Sequence, residues 1–253
     1  KVIPGYYGEY ARCRHLSLDE MIANIKAGKP YVIRFKSKGN HLEHVRVHDE
    51  IRGDMDLSQN DQDIVIYKSD GLPTYHFAHL VDDHYMGTTL VTRGEEWISS
   101  LPIHIELFEA MGWKAPKYAH LPVIMVNDKE THNKRKLSKR KDPEAAVSFF
   151  LEQGYPKEGV IKYLMTIANS NFEAWLLENP KADLKEFKLS FDKFSLDGAL
   201  FDMPKLCNIS KEVLANYDKT TFTDQCLAWA EEYSEELAFL IKRDRPYFES
   251  IIN

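Results

Sequence analysis

The spacing of apolar residues changes along the chain, and each change predicts an element. Ser17-Leu18-Asp19-Glu20 forms a capping box at a helix start, with Met21, Ile22 and Ile25 on one face and Gly28 and Pro30 closing the helix. Tyr31 to Lys36 alternates as a half-buried strand does, and Val45-Arg46-Val47 offers a second strand beyond a polar loop. Asp63 to Tyr67 is an apolar run of strand type, followed by the turn Ser69-Asp70-Gly71, whose glycine supplies positive φ. From there the pattern is βαβ-like. Tyr75 to Tyr85 reads as a helix and Thr88 to Thr92 as a buried strand. Glu95 onward is helical, with Trp97, Leu101, Ile105 and Phe108 on one face and Pro102 marking a restart after Ser100. Tyr118 to Val126 is the next strand. Strand and helix alternating in this way predict an α/β fold, the second half of a doubly wound parallel sheet.

Downstream the period is helical. Pro143 starts a helix carrying Phe149, Phe150 and Leu151 to Gly154. Lys157 to Ala168 forms another, with Val160, Ile161, Leu164 and Ile167 as its stripe. Asn179 to Lys188 is a charged surface connection, and from Tyr217 the chain is helical to a last stripe of Phe248, Ile251 and Ile252.

Composition narrows the picture. A chain of 253 residues is long enough for two or more modules with their own cores. A net charge of -6 excludes a generally basic, nucleic-acid-coated surface, so any RNA contact must come from local basic patches. Cys13, Cys207 and Cys226 are far apart and form no C-x-x-C pair, which points to a reduced, cytoplasmic protein without structural zinc. No apolar run reaches the roughly 20 residues that span a bilayer, so no membrane partner is expected. His41, His44 and His48 lie in a polar stretch without cysteine company and are read as surface residues. Asp82-Asp83 are adjacent on a helix and do not face the same way; one is read as a cap or ion-pair partner, with no metal assigned. His76 and His84 read as donors that support the fold.

The most concentrated chemistry lies at Lys134-Arg135-Lys136-Leu137-Ser138-Lys139-Arg140-Lys141, where six of eight residues are basic. A polar loop of this kind, opening a new helical segment, suits polyphosphate: lysines supply mobile charge, and Ser138 with the loop amides can donate hydrogen bonds. The alternative is a solvated charge run or a localisation signal. Arg93, directly after a predicted strand, lies where open α/β sheets bind ligands, and its guanidinium can grip a carboxylate with two parallel bonds. The alternative there is a structural salt bridge to Glu95 or Asp82.

Lys136-Leu137-Ser138-Lys139-Arg140 resembles the second signature of the class I aminoacyl-tRNA synthetases in its glutamyl form. Upstream, in the same order as in that family, stand Ser69 to Ala78, Val81 to Gly87, Arg93-Gly94-Glu95-Glu96-Trp97 and His120-Leu121-Pro122; the similarity runs from about Arg12 to Asn208. The family's first signature, His-x-Gly-His, does not occur, since His41-Leu42-Glu43-His44 has the wrong middle. With Lys1 in place of Met at the start, the chain is expected to be an internal fragment.

The resemblance implies a Rossmann-like sheet preceded by an α+β insertion remnant and followed by an all-α region. Residues 1–62 would end the acceptor-stem insertion, where Gly5 to Gly8 and Arg12 to His15 are similar to its tail. Residues 63–142 would be the second half of the catalytic domain, 143–214 a stem-contact helical region, and 215–253 the start of an anticodon-binding domain. It also implies that Tyr75, His79 and Arg93 contact glutamate, although His79 departs from an asparagine common in the family. Glu96 would contact the ATP ribose and backbone near Ile124 the adenine, while Lys136, Ser138 and Lys139 would serve the phosphates and the chemistry. The implied partners are glutamate, ATP with its magnesium, and tRNA(Glu), for an enzyme acting as a monomer. Rival readings are a glutaminyl-tRNA synthetase, a paralogue that glutamylates a tRNA base, or a catalytically silent RNA-binding module.

Overall fold

A computed structural model describes residues 6, 8–128, 130–180 and 182–252, and the chain divides into two compact units at Leu121 and Pro122. Lys1, Gly5 and Tyr7 lie outside the described residues, as does Lys181 within the charged connection.

The amino-terminal unit opens with helix α1 (Leu18–Lys26), whose capping box is closed in both directions between Ser17 and Glu20. Its apolar face is not covered by the described residues: Met21, Ile22 and Ile25 are each at least 40% exposed. Capping acts locally and needs no partner, whereas burial does. Strands β1 (Ile33–Arg34), β2 (His44–Asp49), β3 (Gly53–Ser58) and β4 (Val65–Tyr67) follow. The strand expected over 31–36 shrinks to β1, which pairs antiparallel with β4. β2 and β3 form a hairpin that sets Val47 opposite Met55 and Val45 opposite Leu57. β3 was not foreseen, because Asp54 and Asp56 alternate with its two apolar residues and lower its apparent hydrophobicity. Gly71 has the positive φ expected of its turn, at 84°.

Helix α2 (Tyr75–Tyr85) matches its expectation end to end. Strand β5 (Leu90–Gly94), a 3-10 turn over Glu95–Ser100, helix α3 (Leu101–Ala110) and strand β6 (Lys117–Leu121) come next. β5 and β6 are parallel, with Arg93 opposite His120. This strand–helix–strand crossover is the α/β element the sequence predicts, and the helix restarts at Pro102 as expected. Two apolar clusters support it. Val47, Leu101 and Tyr118 form one, and Leu80, Leu107 and Phe108, packed with Phe35, Ile66 and Phe77, form the other. Each such side chain contributes about 1.5–3 kcal/mol on burial.

The strand expected over Tyr118 to Val126 is interrupted. Pro122 has no amide to donate to a ladder, so β6 stops at Leu121. Strand β7 (Met125–Asn127) belongs to the second unit, where it pairs antiparallel with β8 (Lys134–Lys136). The rest of that unit is helical. A 3-10 turn at Pro143–Ala145 leads to α4 (Val147–Glu152), α5 (Lys157–Ala168), α6 (Phe172–Glu178), α7 (Met203–Ala215), α8 (Lys219–Tyr233), α9 (Glu235–Arg243) and α10 (Arg245–Ile251). The stripe expected on α5 is corrected: Ile161 and Leu164 are exposed, and Gly159 and Tyr163 are buried. The reason is close packing on α7, since a Cβ at Gly159 would lie 2.8 Å from Ser210 Oγ. Tyr163 then accepts the Asp202 amide at 2.6 Å, at the start of α7. No helix among the described residues is long and apolar enough to cross a membrane.

Candidate functional site

Arg93, near the end of β5, projects into a cluster of aromatic side chains from α2, α3 and β6. Its Nε donates to His120 Nε2 at 2.9 Å, its Nη1 meets His104 Nδ1 at 3.1 Å, and its Nη2 has a long 3.5 Å contact with the Trp97 carbonyl. The guanidinium also lies over the Tyr118 ring, 4.9 Å from its centroid, a favourable cation–π arrangement. Tyr75 covers the cluster: its ring centre is 4.6 Å from Trp97 and 5.9 Å from His79, to which it is nearly parallel. Tyr75, His79 and Arg93, the three expected amino-acid contacts, are therefore brought together. The alternative salt bridges of Arg93 do not form. Glu95 pairs with Arg52, and no carboxylate among the described residues lies at ion-pair distance from Arg93.

The imidazoles around Arg93 are neutral by donor counting. A guanidinium has no acceptor, so the nitrogens facing it must offer lone pairs. His120 then carries its proton on Nδ1, which meets Asp49 Oδ2 at 2.7 Å with both residues fully buried. His104 carries its proton on Nε2, 2.9 Å from His76 Nδ1. Burial, followed by the charge of Arg93 and the neighbouring imidazoles, pushes His104 down to about 2. Burial likewise lowers His76, and the Arg93 charge adds to it. His79 is also lowered by burial, against the pull of Asp83, whose Oδ2 is 2.7 Å from its Nδ1 without hydrogen-bond geometry. Burial tends to raise the Asp49 carboxyl, but bonds from His120 and from the Arg52 and Ile51 amides outweigh it and leave it below the usual range. Burial depresses the Arg93 guanidinium, with Tyr118 and Tyr75 acting the other way; an arginine starts so high that it stays charged.

Asp49, His104 and the partners of His120 were missed by sequence reasoning. Asp49 and His120 are 71 positions apart and meet only through the fold. His104 left a signal: it stands on the apolar face of α3 among Leu101, Leu107 and Phe108, all buried. A polar residue in such a stripe requires partners.

Glu96 lies outside this cluster and is exposed. Its carboxylate folds over Gly94, where an added Cβ would be 2.1 Å from Glu96 Oε2. The missing side chain of Gly94 is thus the space that the Glu96 carboxylate occupies.

In the second unit the basic stretch is built differently from expectation. Its first three residues form β8 and not a loop. Arg135 is committed to carboxylates, with Asp142 bound through two bonds of 2.6 and 2.7 Å and Asp128 through one of 2.7 Å. Those bonds hold the Asp142 carboxyl down to about 2 and raise Arg135, while Asp128 is lowered first by the Thr131 amide and then by Arg135. Several loop amides are also committed: Ser138 donates to Asp142 Oδ2 at 2.8 Å, and Lys141 and Asp142 donate to the Ser138 carbonyl. Those three amides are therefore not available to phosphate. Lys136 and Lys139 are exposed, and the Lys139 side chain makes no hydrogen bond or ion pair among the described residues. Ile124 is half-buried and its carbonyl accepts the Leu137 amide at 2.8 Å, tying β7 to the signature pentapeptide.

Elsewhere, His41 pairs with Asp61 and His48 with Asp54 on the surface, as solvated histidines do. His84 stacks on Trp113 at 3.8 Å.

Three comparisons place the chain among known proteins. Residues 7–176 match the family described as tRNA synthetases class I (E and Q), catalytic domain. Glutamate–tRNA ligases of Clostridium perfringens and Clostridium beijerinckii are 51% and 50% identical over all 253 residues, and the chain spans about half the length of these relatives, 46% and 45%. The crystal structure of a glutamate tRNA ligase from Elizabethkingia meningosepticum in complex with its amino acid is similar over 93% of this chain and 51% of that one, with 28% identity and a TM-score of 0.71.

Proposed function

The chain belongs to the class I tRNA synthetases for E and Q, and from that premise we propose that it carries the amino-acid and phosphate contacts of a glutamate–tRNA ligase. The enzyme would join glutamate to ATP and pass it to the terminal ribose of tRNA(Glu). In the first step a glutamate carboxylate oxygen attacks the α-phosphorus, and the bond to pyrophosphate breaks. In the second a ribose hydroxyl attacks the activated carbonyl and AMP departs. Neither step needs a protein nucleophile. Positioning and charge stabilisation suffice.

The observation that carries this reading is Arg93: a part-buried, charged guanidinium with neutral imidazoles as partners and no carboxylate partner among the described residues. A carboxylate ligand is the counter-ion this arrangement lacks. Tyr75 and His79, packed beside it, would shape the amino-acid site, and Glu96 would bind the ATP ribose. Backbone near Ile124 would meet adenine. Lys136, Ser138 and Lys139 would contact the phosphates of ATP, which arrives with its magnesium as substrate, and Lys139 would stabilise charge on the departing pyrophosphate. By this reading the enzyme has no structural zinc and works as a cytoplasmic monomer away from membranes. The division at 62, 142 and 214 into insertion, catalytic, stem-contact and anticodon-binding segments belongs to the same proposal.

The test is the kinetics of Arg93→Ala in the enzyme carrying this chain. Loss of a charged partner from a ligand carboxylate costs about 2–5 kcal/mol. The glutamate KM should rise accordingly, and the ATP KM much less. An unchanged glutamate KM and turnover would return Arg93 to a structural role.

A further inference from the structure

We infer that Asp49 and His120 are positioning residues for Arg93, with Asp49 locking the His120 tautomer so that a lone pair always faces the guanidinium. The inference rests on the reading of Arg93 as the carboxylate-binding group.

Asp49 closes β2, and its carboxylate is held in one orientation. Oδ1 accepts the Ile51 and Arg52 amides at 3.0 and 2.9 Å. Oδ2 accepts the His120 amide at 3.0 Å and faces His120 Nδ1 at 2.7 Å. A carboxylate in this state only accepts, so Nδ1 must carry the imidazole proton. Nε2 is thereby left as an acceptor for Arg93 Nε–H at 2.9 Å.

The arrangement orients the guanidinium without neutralising it. A carboxylate placed directly on Arg93 would hold it equally well and cancel the charge that a ligand needs. With an imidazole between them, the negative charge of Asp49 stays one ring away. His104, the second neutral acceptor, takes Nη1 at 3.1 Å. Nη2 makes only a long contact, to the Trp97 carbonyl.

Asp49→Asn is the discriminating change. The asparagine carbonyl stays at the Oδ1 position, where the Ile51 and Arg52 amides and, at 3.3 Å, the His120 amide can all use it, so its NH2 faces His120 Nδ1. The imidazole proton then moves to Nε2, and an N–H is directed at the N–H of Arg93. A wrong tautomer in unchanged geometry is enough to disable such a chain. His120→Asn leaves a donor for Asp49 but none of the reach needed for Arg93. His120→Gln places a carbonyl near the Nε2 position and keeps an acceptor for it.

Steady-state kinetics of these three variants and Arg93→Ala, in the enzyme carrying this chain with tRNA present, test the inference. Asp49→Asn and His120→Asn should each raise the glutamate KM about ten- to a hundredfold, the range for a hydrogen bond to a charged group. The ATP KM should stay unchanged, and His120→Gln should recover most of the loss. A strong Arg93→Ala effect with normal glutamate KM in Asp49→Asn and His120→Asn overturns the lock and spares the Arg93 reading. A flat Arg93→Ala removes both. Equal losses for glutamate and ATP, with no rescue by His120→Gln, mark a purely structural pair and also overturn it. Should Asp49→Asn fail to fold, the His120→Asn and His120→Gln comparison decides alone.

Discussion

Arg93 in the amino-terminal unit and Arg135 in the carboxyl-terminal one are both partly shielded from solvent, and opposite chemistry orients them. Asp128 and Asp142 hold Arg135 through three short bonds that also neutralise it. Neutral His104 and His120 hold Arg93 and leave its charge in place. The difference separates a neutralised guanidinium from one that keeps its charge. A guanidinium between two carboxylates fixes a loop, here by tying β8 to the turn that presents Lys139. A guanidinium among imidazoles is fixed but still attracts an anion. Counting basic residues would rank 134–141 above Arg93 as an anion site, whereas the bonding partners show that Arg135 has no charge left to offer.

Breaking the comparison starts on the lysine that Arg135 supports. Lys139→Ala should slow adenylate formation by a few hundredfold, since removing one preorganised charge donor costs about 3–4 kcal/mol, with glutamate binding nearly intact. Lys141→Ala should cost much less. Single-turnover measurement with saturating ATP and tRNA checks both, and equal, mild, salt-screened effects would reduce the stretch to a solvated charge run. Next is Gly94→Ala. The backbone there, φ -69° and ψ 150°, suits alanine, but the added methyl takes the space of the Glu96 carboxylate. The ATP KM should rise about tenfold, the scale of one lost hydrogen bond to a charged group, with the glutamate KM unmoved. Arg135→Ala should then lower the melting temperature and leave glutamate affinity alone.

Acid sharpens the contrast with the smallest effects. His104 is pushed down from 6.5 to about 2, so the unfolded chain takes up its proton first. Its contribution to stability is complete above 6.5 and is lost as pH falls below that value toward about 2. His76 and His79 act in the same direction. Asp142 is held down from 3.8 to about 2, so its contribution is complete above 3.8 and is lost between there and about 2. Melting followed against pH should show an early decline that His104→Gln reduces, and a later one that Asp142→Asn reduces.

Local signals were legible in the sequence, and long-range ones were not. Residues 75–85 and 157–168 were bounded correctly because helix ends are set by near neighbours. The Ser17 capping box and the restart at Pro102 are local for the same reason. The buried face of α5 was misread because Gly159, with no side chain to score, is where α7 comes closest. Arg93, Tyr75 and His79 were singled out through the ordered motifs, and the structure brings them together. The partners that orient Arg93 come from β2, α3 and β6, and neither motif nor period connects those elements. The pairing of Arg135 with Asp128 and Asp142 lies within seven residues on either side, yet a charge count hides it.

Melting the wild type, Arg93→Ala and Arg135→Ala with and without saturating glutamate tests the central claim most directly, because a ligand that binds the folded state raises the melting temperature by mass action. Arg93→Ala should lose the glutamate-dependent rise, and Arg135→Ala should melt lower yet keep it. A full glutamate-dependent rise in Arg93→Ala would contradict the account.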